Sequence, residues 1–269
     1  MMRFAAKLAA AMLALTLAAC ATTPGGSIGG SSPAADRPIS DLTPATAAEA
    51  RAKAHVELGM AYLQLGRFDI ALDEAQIALQ DDASYAPAFH LRGLVFMFVE
   101  DFAKAEESLS RALRQAPGDP EFNNSYGWFL CLRGREAEGL ERLALAARNP
   151  YYRVPTRPHT NAGLCHLRKG DQAAAEQAFL RAVDADPSNV QALFELAAIA
   201  YRKGDYGSAR IYLVRLHQQS EPTPETVWLG LRTERRLGNH DAEASYAAQL
   251  RSRFADSPQY GLMQQGRFE

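Results

Sequence analysis

The side chains that could do chemistry are few: three cysteines, Cys20, Cys131 and Cys165, and six histidines. His159 and His166 share one predicted helix, but a spacing of seven places them two turns apart rather than at the i, i+4 spacing that chelates zinc. Cys165 and His166 are adjacent, so their side chains point in different directions. No glycine-rich loop follows a predicted strand, and no base is placed beside a nucleophile. We therefore expect no catalytic residue, no metal site and no enzymatic activity.

Cys20 ends an N-terminal leader. Arg3 and Lys7 make its start basic, and a short apolar run ends in Leu-Ala-Ala-Cys at Cys20. The run is too short for a stable transmembrane helix. Its end resembles a bacterial lipobox, which implies a signal peptide of residues 1–19 and covalent lipid on Cys20, with no other cofactor. The alternative is an ordinary secretory signal with a chance cysteine after it.

The residues after Cys20 indicate where the folded part lies. Ala21 stands where an aspartate would retain an enteric lipoprotein in the inner membrane. We therefore expect a lipid anchor in the outer membrane and a protein on its periplasmic face. Residues 20–46 are rich in Gly, Ser, Thr, Pro and Ala, which predicts a flexible tether. The net charge is −2 and no basic block is interleaved with aromatic residues, so we expect no nucleic-acid partner.

From about residue 47 the apolar pattern is helical and repeats itself. Gly59, Gly93 and Gly127 recur 34 residues apart, where the first helix of a repeat (helix A) must approach the second (helix B) closely. A glycine suited to positive φ closes helix A in four copies, at Gly66, Gly134, Gly170 and Gly204. The pattern resembles the tetratricopeptide repeat. This resemblance implies an all-α, right-handed superhelix of about six repeats over residues 47–254, with a C-terminal tail over 255–269.

Two segments narrow the resemblance. Residues 123–131 read Asn-x-x-Tyr-Gly-x-Phe-Leu-Cys, residues 161–165 read Asn-Ala-Gly-x-Cys, and a loop with three prolines separates them. With the lipobox, they resemble the type IV pilus biogenesis and stability lipoproteins, the PilF/PilW or pilotin family. The resemblance implies a scaffold, expected to be monomeric, that promotes localisation, multimerisation or stability of the outer-membrane secretin of the type IV pilus. The alternative is a periplasmic lipoprotein adaptor that positions a cell-envelope enzyme.

Cys131 and Cys165 lie near the middle of A helices in consecutive repeats. The A helices of neighbouring repeats pack side by side, and the periplasm is oxidising, so facing thiols would pair there. We predict a disulfide between Cys131 and Cys165. The alternative is two separate buried thiols that behave as small hydrophobic residues.

The A helices of this repeat line a concave surface, which predicts where a partner binds. The positions that tend to face it in the first three repeats are mostly apolar, and they predict a groove of Val56, Met60, Leu63, His90, Leu94, Met97, Phe98 and Trp128. A contiguous apolar surface of this kind suits an apolar strand or an amphipathic helix. The alternatives are a register error of one residue, which would place these side chains in the core, or a chain before Ala47 that folds back over them.

Overall fold

The computed structural model describes residues 37–269, so Cys20, residues 1–19 and most of the predicted tether lie outside the described residues. The regular elements of the described part are helices. A 3-10 helix at Ile39–Asp41 is followed by α1 Ala47–Gln64, α2 Phe68–Asp81, α3 Ala86–Phe98, α4 Phe102–Gln115, α5 Pro120–Leu132, α6 Glu136–Arg148, α7 Thr156–Arg168, α8 Gln172–Ala185, α9 Val190–Arg202, α10 Tyr206–Gln219, α11 Pro224–Arg236, α12 His240–Arg253 and α13 Pro258–Gln264. The predicted all-α fold class is confirmed. Among these helices none is long and apolar enough to cross a membrane.

Helices α1 to α12 form six A–B pairs in chain order, and each A helix also packs against the A helix of the next pair. Left-handed residues make the turns between A and B: five glycines, among them Gly66 and Gly238, and Glu100 in the second pair. Glu100 has a φ of 61°, a conformation that costs a residue with a Cβ more than it costs glycine. The sixth pair, which the sequence marks weakly, is as regular as the others.

Small residues fix how closely A and B helices approach. A Cβ on Gly127 would lie 2.9 Å from the carbonyl oxygen of Gly139, and a Cβ on Gly139 would lie 2.6 Å from the carbonyl oxygen of Gly127. Both distances are shorter than side chains tolerate, so α5 and α6 pack backbone against backbone at this point. This contact fixes the position of α5, which also carries Cys131 and part of the candidate site.

The predicted C-terminal tail contains α13, which packs on the last repeat. Tyr260, Leu262 and Met263 contact a cluster that includes Trp228 and Leu250, and so they cover the apolar end of α11 and α12. After α13 the chain turns back at residue 266, a glycine with a φ of 67°. Residues 267–269 are thereby returned to α11.

Candidate partner-binding groove

A cavity of about 550 Å³ opens on the face formed by α1, α3, α5 and α7. Its apolar lining comes from α1, α3 and α5 and consists of Val56, Met60, Leu94, Met97, Phe122 and Trp128, with Pro87 at the start of α3. Residues three or four apart share one face of a helix, which is why Val56 and Met60, or Leu94 and Met97, reach the same cavity. With His90, six of the eight residues predicted for the groove line it.

The prediction is wrong for Leu63 and Phe98. Leu63 lies in the last turn of α1 and packs against a buried cluster of α2 and α3 side chains that includes Ala71 and Leu91. Phe98 ends α3 and is 64% exposed, with its ring stacked 5.6 Å from that of Phe68. One step along a helix turns a side chain by about 100°. Phe98 therefore lies outside the groove that its neighbour Met97 lines.

A polar part of the lining comes from α5 and α7. The Asn161 side chain donates to Asn124 Oδ1 at 3.0 Å, and Arg157 pairs with Glu121 at 3.0 Å. The sequence prediction missed Asn124, Asn161 and Glu121, although Asn124 and Asn161 lie in the two motifs that carry the family resemblance. After its bond to Asn124, the Asn161 amide keeps a second N–H and a carbonyl oxygen that could serve a partner's main chain.

His90 is a buried polar residue of the groove wall. Its Nε2 lies 2.8 Å from Ser125 Oγ, and its ring lies 4.8 Å from that of Phe122. Burial, helped by the positive charge of Arg157, lowers the pKa of His90 to about 3. The imidazole is therefore neutral at physiological pH, and it contributes a hydrogen-bonding group rather than a charge.

Asp119 connects the groove to the segment before α1. Its Oδ1 accepts the backbone N–H groups of Glu121 and Phe122 and so caps α5, while Oδ2 accepts the N–H of Ile39 at 2.9 Å. The side chain is almost fully buried, and this burial raises its pKa to about 6 against the opposing effect of the three hydrogen bonds. Asp119 thus holds two segments that are 80 residues apart in sequence.

Residues 37–42 are docked on the repeats, and we name them the strap. Ile39 packs between two buried clusters that include Tyr85 and Phe89, and Pro38 is buried. Asp41 pairs with Arg153 at 2.9 Å. The predicted flexible tether through residue 46 is therefore wrong for residues 37–42. Ile39 is a single apolar residue in a polar segment, and the composition alone does not show that it packs against the repeats. The strap also supplies Ser40 to the groove lining.

A disulfide joins Cys131 of α5 to Cys165 of α7, with the two Cα atoms 5.5 Å apart. Both residues are fully buried, and Leu143 and Trp128 pack against them. The bond therefore lies directly behind the Trp128 wall of the groove. Elsewhere within residues 37–269, no three His, Cys, Asp or Glu side chains come together as metal ligands.

The amino-acid sequence is similar to a known repeat family and to a protein of type IV pilus assembly. The tetratricopeptide-repeat family model matches residues 90–153 and 160–223. The type IV pilus assembly protein PilF of Pseudomonas aeruginosa is 28% identical over 207 residues, which cover 77% of this chain and 82% of PilF. This chain is a tetratricopeptide-repeat protein homologous to PilF and PilW.

Two solved structures extend the similarity to three dimensions. The crystal structure of PilW, a widely conserved type IV pilus biogenesis factor, has a TM-score of 0.72 at 29% identity and covers 79% of this chain and 98% of PilW. The structure of P. aeruginosa PilF has a TM-score of 0.74 at 27% identity and covers 82% of this chain and all of PilF. The predicted family resemblance and the repeat superhelix are thereby confirmed.

Proposed function

We propose that this chain is a lipid-anchored scaffold of type IV pilus biogenesis whose groove holds a segment of the outer-membrane secretin. By holding it, the scaffold promotes the localisation, multimerisation or stability of the secretin. Homology to PilF and PilW over most of the chain supports the role in pilus biogenesis. The groove on α1, α3, α5 and α7 is the observation that carries the proposed mode of action, which is binding rather than catalysis.

The groove combines two kinds of lining that together suit a protein segment. Met60, Met97 and Trp128 offer a polarisable apolar surface that adapts to side chains of different shape. The Asn124–Asn161 pair and the Arg157–Glu121 pair stand at its polar part. An extended or helical segment would bury apolar side chains on the first part while the amides receive its main chain.

The proposed lipid anchor would hold this groove near a membrane. Lipid on Cys20 would hold the protein on the periplasmic face of the outer membrane, where secretin subunits arrive. Several acyl chains on one residue give anchoring that one chain does not, at about 0.8 kcal/mol for each buried CH₂. In this arrangement the protein acts as a monomer that meets its partner at the membrane.

The groove is tested by placing charge in it. In the double variant Met60→Glu/Met97→Glu, two carboxylates would line the apolar part and leave a bound apolar segment against unpaired charge. We expect heat-stable secretin multimers to fall at least about tenfold in outer-membrane fractions, which is the effect of about 1.4 kcal/mol on binding. Quantitative immunoblotting of unheated membranes measures this.

Phe98→Glu is the matched control, since Phe98 is exposed one residue beyond Met97 but outside the groove. It should leave the multimers unchanged. If the double variant is helical by circular dichroism, reaches the membrane and still supports normal multimers, the groove does not hold the secretin.

The anchor is tested separately with Cys20→Ala. Metabolic labelling with a clickable fatty acid should mark the wild-type protein and leave the variant unmarked, and the variant should be lost from the outer membrane. Cys131 and Cys165 do not compete for the label, because their sulfurs are joined in a disulfide and neither offers a free thiol. Labelling of Cys20→Ala at the wild-type level would refute lipid attachment at this residue.

A further inference from the structure

The last A helix, α11, departs from a packing pattern that the second to fifth repeats share. Two residues after the small residue of helix A, the second to fifth repeats carry an apolar side chain or a disulfide cysteine that is at most 1% exposed: Val95, Phe129, Cys165 and Ile199. The corresponding residue of α11 is Arg232, two residues after Gly230. Arg232 is half-buried. A partly buried charge lowers stability unless it is compensated, and such departures from a repeat pattern concentrate at functional sites.

Arg232 is held by aromatic rings and lacks an acidic partner within the described residues. Its Cζ lies 4.8 Å from the ring centroid of Tyr201 and 5.5 Å from that of Trp228. Its Nε is buried and makes no hydrogen bond. The nearby carboxylates are engaged by other arginines, since Glu234 pairs with Arg210 and the carboxylate of residue 243 pairs with Arg235. The two aromatic rings therefore hold the Arg232 guanidinium in place, and no carboxylate of residues 37–269 pairs with its charge.

Two further arginines converge on the same place. A cavity of about 370 Å³ is lined by Arg232, Arg235, Arg236, Gly266, Phe268 and Glu269. Phe268 stacks on the Trp228 ring at 5.5 Å and lies 4.2 Å below the Arg235 guanidinium, so the returned tail forms one wall. Because Arg235 is paired with the carboxylate of residue 243, the guanidinium groups of Arg232 and Arg236 face Glu269 as the single lining carboxylate, and the cavity keeps an excess of one positive charge.

We propose that this cavity is a second binding site, for a carboxylate side chain of an acidic protein segment. Guanidinium groups match the planar geometry of a carboxylate and bind it through paired hydrogen bonds. Glu269 of the chain itself already lies there, and its charge is among the causes that raise the pKa of Arg236, after a hydrogen bond to Tyr201. A carboxylate from a partner would take the place of Glu269 between Arg232 and Arg236. This site does not depend on the groove of α1 to α7.

The test uses the full chain in detergent and a fluorescent peptide with three consecutive glutamates, with the triple-glutamine peptide as its pair. Fluorescence anisotropy should show saturable binding of the glutamate peptide that weakens with salt. Arg232→Met and Arg236→Gln should each weaken it about tenfold or more, as expected for loss of a charge-assisted hydrogen bond. Glu269→Gln should tighten it, because a competing carboxylate is removed.

Arg114→Gln is the control for net charge, since Arg114 is exposed on α4, far from the cavity in sequence and repeat; it should leave the affinity unchanged. Arg232→Met should fold and have a higher melting temperature than wild type, because four other repeats carry a buried, uncharged residue at this position. If it does not fold, Arg236→Gln decides. Equal binding of the glutamine peptide, wild-type affinity in the arginine variants, no saturable binding, or binding to anionic vesicles but not to the peptide would overturn the proposal.

Discussion

The two ends of the A-helix row depart from the repeat pattern in opposite directions. At α1, α3 and α5, apolar side chains such as Met60 and Met97 line an open cavity. At α11, Arg232 stands at the position where the second to fifth repeats bury an uncharged residue. The groove end leaves an apolar surface accessible, and the α11 end carries an arginine at a position that four other repeats bury.

The difference shows that residues which depart from the packing pattern are easy to recognise in a protein built of regular repeats. The same register repeats along the row, so each position has several internal references for what packing requires. An accessible apolar residue that lines a cavity and a partly buried, unpaired charge both lower stability, and both are therefore candidates for binding. The predictions below probe the supports of the two ends.

The largest expected effect concerns the disulfide behind the groove. In Cys131→Ala/Cys165→Ala, the unfolded chain loses a cross-link that spans 34 residues. The free energy of unfolding should fall by about 3–4 kcal/mol, as loop entropy predicts. Urea denaturation measures the loss, and mass spectrometry of unreduced wild-type protein checks that no thiol is free to alkylate. An unchanged denaturation midpoint would show that the groove end does not depend on this bond.

The next effect is on pH dependence at the groove, where two buried groups act with opposite sign. The pKa of Asp119 is raised from 3.8 to about 6, so the folded state holds a proton that the unfolded state releases, and this contribution to stability is lost as the pH rises from about 4 to 6. The pKa of His90 is lowered from 6.5 to about 3, so its contribution is present above pH 6.5 and is lost as the pH falls. In the wild type the two slopes partly cancel.

Single variants should separate these slopes. Asp119→Asn keeps a residue that can cap α5 but removes the carboxylate, so this variant should lose stability on acidification from pH 6 to 4 more steeply than wild type, by about 2–3 kcal/mol. His90→Gln should do the reverse over the same range. Thermal unfolding followed across pH gives both curves. Parallel curves for the two variants would show that these groups do not set the pH dependence.

The ion pair at the other end gives a smaller effect. Glu234 is 7% exposed in its side chain and accepts from Arg210 at 2.8 Å, so Arg210→Met would leave a buried carboxylate unpaired. We expect a loss of about 2 kcal/mol in the free energy of unfolding. Lys203→Met is the matched control, because Glu176 of the Lys203–Glu176 pair is 28% exposed, more than Glu234, so this pair should contribute less than about 1 kcal/mol. Equal losses in the two variants would contradict this difference.

The smallest effect concerns the strap. Asp41→Asn removes the pair with Arg153, whose side chain is 75% exposed, so the loss should stay below about 1 kcal/mol and vanish at high salt. Denaturation at low and high salt measures it. A larger, salt-independent loss would mean that Asp41 holds the strap by more than this ion pair.

The sequence predicted best what repeats. Gly59, Gly93 and Gly127 revealed the period, and the same register located Val56, Met60, Leu94, Met97 and Trp128 on one face. The prediction from this register failed at helix ends, where Leu63 packs onto α2 and α3 and Phe98 turns outward to Phe68. At an end the neighbouring helix, not the helical period, decides which way a side chain turns. The polar groove residues Asn124 and Asn161 were visible as motif letters, but nothing in one sequence said that they would meet.

By itself the sequence determined the all-α repeat architecture. Close packing of the A and B helices requires small residues at fixed positions, and these residues recur in successive repeats. The sequence also placed Cys131 and Cys165 within reach of each other, since both belong to neighbouring A helices. Only the tertiary structure decided that Ile39 would bond to Asp119 across 80 residues. It likewise decided that Phe268 would return to α11 and close a cavity around Arg232. These contacts join segments outside the repeat to segments inside it, so no periodicity encodes them, and they form only where burial and charge on the folded surface favour them.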